Sequence, residues 1–135
     1  MKTVLTAYAA AALAFLAIDA VWLSTMANAL YRPLLGHLLA PGFALAPAVL
    51  FYVIYVGGIV FFAIRPALEA RLFRKAVING AALGFVAYAT YDLTNQATLR
   101  DWPVIVTVAD LIWGTLLTAT ASAVGYAAAA RRVAG

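Results

Sequence analysis

Three aspartates stand inside runs that are otherwise apolar: Asp19 in "FLAIDAVWL", Asp92 in "YATYDLTNQ" and Asp110 in "VTVADLIWG". Asp19 and Asp110 are each followed by a tryptophan at the third position, Trp22 and Trp113, and Asp92 stands with Tyr88, Tyr91, Thr94 and Asn95. A carboxylate facing lipid costs roughly 2.5–3.5 kcal/mol on insertion scales, so each Asp should turn towards protein or a polar cavity. Like charges at close range cannot all ionise, and a protonated carboxyl beside an ionised one forms a donor/base pair. Tyrosine hydroxyls at the same level add donors and acceptors. Trp and Tyr faces supply apolar walls and can stabilise a cation. The expected chemistry is acid/base work on a lipophilic small molecule, or binding of one. Asp92, Asp19 and Asp110 form the reactive group, and Asn95, Tyr88, Tyr91, Trp22, Trp113 and Thr94 surround it.

The elements that must position these residues are membrane spans. The chain has 135 residues, of which 67% are hydrophobic and 10% charged. A soluble domain of this size needs more polar surface, so the composition is that of an integral membrane protein. A spanning helix takes about 20 mostly apolar residues, and four stretches fit: approximately 4–27, 43–64, 76–96 and 103–130. Runs this long and this rich in Leu and Ala do not suit barrel strands. The expected fold is one all-α domain over residues 1–135, an antiparallel bundle of four transmembrane helices. Pro33, Pro41, Gly42 and Pro47 should break the first connection, within which "PLLGHLLA" reads as a short helix lying in the interface. Arg65-Pro66 should end the second helix, and Asp101 should cap the fourth.

Basic residues set the orientation. Lys2, Arg65, Arg71, Arg74, Lys75, Arg131 and Arg132 fall on one side and only Arg32 and Arg100 on the other. Both termini are therefore expected in the cytoplasm. Ala27-Asn28-Ala29 resembles a signal-peptide cleavage site, but the length of the first span and its Asp19 and Trp22 favour a retained helix. The net charge of +4 gathers at the membrane edges and does not point to nucleic acid. With no cysteine and a single histidine, His37, no disulfide, thiolate or His-rich metal site can form. Neither a metal nor a cofactor is expected.

Helical rise places the three aspartates at a common level. Asp19 lies roughly 12 Å from the outer end of its span, Asp92 about 6 Å and Asp110 about 10 Å. On the third span Gly80, Gly84, Tyr88, Asp92 and Asn95 form one stripe, and on the fourth Asp110, Gly114, Thr118 and Ser122 repeat at i+4. Gly80-x-x-x-Gly84 permits close approach of a neighbour, either the fourth helix or a second copy of the chain in a homo-oligomer.

Two other readings use the same residues. Buried Asp, Asn and Thr can act as hydrogen-bonding glue between helices, which would make the protein a structural or accessory membrane subunit. Carboxylates in small bundles also relay protons, which would make it a proton-coupled transporter or channel working as an oligomer. Against transport, the ionisable residues sit in the outer half and the inner half offers Ala, Gly, Leu and Thr. Diphosphate chemistry lacks paired aspartates or a phosphate clamp.

The spacing "YDLTNQATLRDWP" followed by "VADLIWGT", with the earlier "IDAVWL", resembles a small bacterial membrane-protein family, domain of unknown function 2177. The resemblance covers most of the chain. The matching residues are Asp19, Trp22, Tyr91, Asp92, Leu93, Thr94, Asn95, Trp102, Pro103, Asp110 and Trp113. It implies a multi-pass protein of four helices in the bacterial inner membrane and transfers no catalytic role.

Overall fold

The computed structural model describes residues 1–134, and these form four long helices with no strand among them. Helix α1 runs Lys2–Leu35, α2 Leu45–Ala70, α3 Phe73–Thr98 and α4 Val104–Ala134. Three of them, α1, α2 and α4, are long and apolar enough to cross a membrane. Helix α3 falls short because Arg74 and Lys75 open it and Asp92, Thr94, Asn95 and Gln96 occupy its last turns. The candidate site residues themselves lower its hydropathy.

Two prolines expected to break helices do not. Helix α1 continues beyond Ala27 to Leu35, and α2 continues through Arg65-Pro66 to Ala70. In both cases a π-helical segment precedes an Arg-Pro pair: Ala27–Tyr31 before Arg32-Pro33, and Ile59–Ile64 before Arg65-Pro66. Proline has no N–H for the carbonyl four residues back, and its ring crowds that carbonyl. Widening the preceding turn relieves the crowding without ending the helix. At Pro66 the orphaned carbonyl is that of Phe62, and Asn79 Nδ2 on α3 donates to it at 3.1 Å.

The connection between α1 and α2, expected to hold a short helix, takes another form. Its first residues, Arg32–Leu35, are the last helical turn of α1, and Gly36 to Ala44 are turns and bends. Pro47 lies inside the first turn of α2, where a missing N–H costs nothing. Arg71, at φ 54°, stops α2 and Asp101, at φ 57°, turns the chain between α3 and α4. Asp101 makes no side-chain cap among the described residues. Trp102 Nε1 instead donates to Thr107 Oγ1 (3.1 Å), which donates to Gln96 Oε1 (2.8 Å) and ties the start of α4 to the end of α3.

Helix α4 is the centre of the packing and touches α1, α3 and the Ile59–Ile64 segment of α2. Lipid tails are as apolar as leucine, so close packing rather than water exclusion must hold these helices together. Small residues provide it. Ala7, Ala11, Ala63, Ala121 and Ala129 are buried around Phe15, Ile59 and Ile64, while Leu13, Ile54, Phe61 and Ile112 point outward. Gly84 is required where α3 meets α4: a Cβ there would stand 2.7 Å from Thr118 Oγ1 and would also strike the Gly114 carbonyl. Gly80 lies in the same seam against Ser122 and Thr118, so the small-residue face of α3 packs on α4 of its own chain.

Candidate functional site

Helix periodicity turns the three aspartates inward, and close packing brings them together where α1 and α3 end and α2 and α4 begin. Asp92 is 0% exposed, Asp19 7% and Asp110 8%. Asp19 accepts from Tyr52 Oη on α2 (2.7 Å, to Oδ2) and from Trp113 Nε1 on α4 (3.2 Å, to Oδ1). Asp110 Oδ1 accepts from the Tyr31 hydroxyl, which itself accepts from Trp22 Nε1 at 2.9 Å.

The two Asp-x-x-Trp pairs thus serve each other. Trp113, three residues after Asp110, holds Asp19. Trp22, three residues after Asp19, supports Asp110 through Tyr31. Their indoles stack at 4.3 Å between centroids with 8° between planes. On helices running in opposite directions, the i, i+3 offset points each tryptophan towards the other helix's carboxylate. The π-helical turn Ala27–Tyr31 ends at the tyrosine that completes the arrangement.

Asp92 is in a different position. Neither of its oxygens has a hydrogen-bond donor among the described residues. The Asp110 carboxyl neighbours it across the α3–α4 seam. One proton held between the two carboxyls would satisfy an oxygen on each side. With both ionised, Asp92 would be a buried charge without a partner, which is costly in any low-dielectric interior.

Two cavities meet at Asp110. The first, about 250 Å³, is lined by Asp19, Asp110, Trp22, Trp102 and Trp113, with Tyr31 and Tyr88 among its other walls. The second, about 370 Å³, is bounded by Phe51 and Tyr55 of α2, Ala87, Tyr88 and Tyr91 of α3, and Asp110 of α4. The second exists because α2 packs on α3 mainly through Ile59–Ile64, so the earlier part of α2 stands away from α3. Gly114 gives the Tyr88 ring its place, since a Cβ there would enter the ring. Tyr55 Oη pairs with Thr118 Oγ1 at 2.9 Å, below the carboxyl groups.

Of the residues expected from sequence, Asp19, Asp110, Trp22, Trp113, Tyr88 and Tyr91 line one or both cavities. Asp92 lies behind Asp110 and lines neither. Asn95 sits beside Tyr91. Thr94 is exposed, and its hydroxyl turns back to the carbonyls of Thr90 and Tyr91 (the latter at 3.0 Å). An exposed residue of a helix face has its own backbone as the nearest acceptor, which removes Thr94 from the cluster. Sequence reasoning missed Tyr31, Tyr52, Tyr55 and Trp102. The pair Tyr52-x-x-Tyr55 repeats the i, i+3 spacing of the Asp/Trp pairs and could have been found. Tyr31 and Trp102 lie near helix ends, where their direction depends on how the turns are built.

The family model described as "Predicted membrane protein (DUF2177)" matches residues 4–127. The chain belongs to this family. Its match spans all three carboxylates and both Asp-x-x-Trp pairs. No curated protein and no solved structure matches the chain. The protein is therefore a membrane protein of a family whose function is open, and its site must be read from its own residues.

Proposed function

We propose that this protein is a four-span bacterial inner-membrane protein that holds a lipophilic small molecule in an outer-half pocket, with a carboxyl pair at its floor. The bias of the basic residues supports the orientation, with both termini cytoplasmic and the aspartates towards the outer face. A crossing by α3 is supported by Asp92, which is buried, and by the exposed Thr90 and Thr94, whose hydroxyls bond carbonyls of their own helix. The segment from Pro33 to Ala40 lies at the outer interface.

The observation that carries this reading is the position of Asp110. It lines the apolar cavity walled by α2 and α3, it lines the aromatic cavity beside it, and it neighbours Asp92, whose oxygens have no donor among the described residues. A cavity with apolar walls and a few convergent polar groups is the ordinary form of a small-molecule site. The gap between α2 and α3 gives a lipophilic ligand a sideways path from the membrane. Asp110 meets the ligand, and Asp92 behind it accepts or returns a proton, so the pair can bind a polar group or move a proton on it. Asp19, held by Tyr52 and Trp113, fixes the aromatic wall.

A proton-conducting role fits less well. Below Thr118 and Ser122 the buried residues include Ala7, Ala63, Ala67, Ala76 and Ala129 with Ile64, and among the described residues no buried polar side chain leads on towards the basic end.

The test is mass spectrometry of lipophilic molecules that co-purify with the protein from its native membrane. Wild type should retain a defined compound. Ala87→Phe, which fills the apolar cavity without touching a carboxyl group, and Asp110→Asn should both lose it. Bulk phospholipid alone in all three would sink the proposal.

A further inference from the structure

The pocket has an electrostatic character that names its ligand more narrowly, if the cavity is a ligand site as proposed above. Every donor to Asp19 and Asp110 is neutral: the hydroxyls of Tyr52 and Tyr31 and the indole of Trp113. Neither cavity is lined by Lys, Arg or His. Among the described residues, the one ion pair is Arg65 with Glu69 at the other end of the bundle. The site therefore holds three carboxyls and no protein cation, and one of the three, Asp92, is fully buried with both oxygens unpartnered.

The walls complete the picture. The chain has three tryptophans, and all three, Trp22, Trp102 and Trp113, line the same cavity as Asp19 and Asp110. Tyr31, Tyr88 and Tyr91 stand with them. Aromatic faces around a carboxylate are the arrangement that binds ammonium groups, because ring quadrupoles and anionic oxygens both attract a weakly hydrated cation. The adjoining apolar cavity shares Tyr88, Tyr91 and Asp110 and opens between α2 and α3.

We infer that the ligand is a cationic amphiphile: an ammonium head seated among the tryptophans against Asp19 and Asp110, with a slim apolar chain in the cavity beside Phe51, Tyr55 and Ala87. The head carries no phosphate, since a phosphate beside it would face carboxyls with no basic residue to receive it. Fatty acids are disfavoured for the same reason. Cavities of about 250 and 370 Å³ suit one chain of a drug-sized molecule.

The three tryptophans also provide the assay. Purified protein in a neutral maltoside detergent is titrated with decyltrimethylammonium while intrinsic fluorescence is followed. Parallel titrations use the neutral isostere, with carbon in place of nitrogen, and phosphatidylethanolamine, whose ammonium has a phosphate beside it. The cation should bind about tenfold or more tightly than the isostere. In Asp19→Asn and Asp110→Asn that preference should collapse while the isostere still binds. Equal binding of cation and isostere by wild type would overturn the cationic assignment and leave the pocket standing. Phosphatidylethanolamine binding as tightly as the simple ammonium would overturn the exclusion of phosphate. No response to any of the three would bring down the pocket reading together with this one. Because the wild-type comparison decides the cationic assignment by itself, a variant that does not fold leaves the test intact.

Discussion

Replacing Asp92 by Asn separates a carboxyl kept for function from one kept for stability. Asp92 is fully buried and neither oxygen has a donor, while the Asp110 carboxyl neighbours it. Asparagine has nearly the same shape but no charge, and its amide can donate to Asp110. The substitution trades the proton that the two carboxyls share, which is lost when both ionise, for an amide N–H that stays, and a hydrogen bond to a charged acceptor is worth about 1.5–3 kcal/mol. Relaxation of the packing and the membrane-embedded reference state reduce that figure, so a net gain of about 1–2 kcal/mol is expected. Reversible unfolding in mixed micelles of increasing SDS fraction, followed by circular dichroism, measures it. The same variant should lose whatever ligand the wild type retains, because the shared proton is gone. If Asp92→Asn were destabilised by more than about 1 kcal/mol, the carboxyl would be serving as structural glue between α3 and α4. The account of an unpartnered group maintained for chemistry would then be refuted.

The remaining predictions concern the parts that build the site. Gly84→Ala forces a Cβ towards backbone of α4 and should cost about 1–3 kcal/mol in the same unfolding assay. Gly57→Ala, with nothing within 4 Å of the new Cβ, should be neutral or stabilising by up to about 1 kcal/mol. Asn79→Leu leaves the Phe62 carbonyl without its donor and should cost about 1–3 kcal/mol. In a Pro66→Ala background that cost should shrink, because the restored N–H can take the same carbonyl, and a strictly additive double mutant would refute the explanation of the π-helical segment. Tyr52→Phe removes one of the two donors to Asp19 and should destabilise by about 1–3 kcal/mol. It should also shift the tryptophan emission through Trp113, and an unchanged spectrum would count against the shared hydrogen-bond cluster.

Much of this protein was legible before any contact was known. Its composition marks a membrane chain, because the cost of leaving polar groups in lipid depends on residue type alone. The same cost forbids Asp19, Asp92 and Asp110 from facing lipid, and the i+4 stripes on α3 and α4 name the faces that must turn inward. What each carboxyl meets there was decided by tertiary structure. The crossed support of Asp19 by Trp113 and of Asp110 through Trp22 and Tyr31 depends on two antiparallel helices meeting at one register. The stripe on α3 holds both Gly84, which packs on α4, and Asp92, which finds no donor, and local sequence does not separate the two. Thr94 is two positions from Asp92 and points away, while Tyr31 and Tyr52, on other helices, complete the cluster. Pro66 reads locally as a helix end, yet α2 continues because an amide from α3 takes the carbonyl that proline leaves unbonded. Burial is a property of residue chemistry and so is written in the sequence. Partnership is a property of which helices stand next to one another, and here packing around α4 decides it.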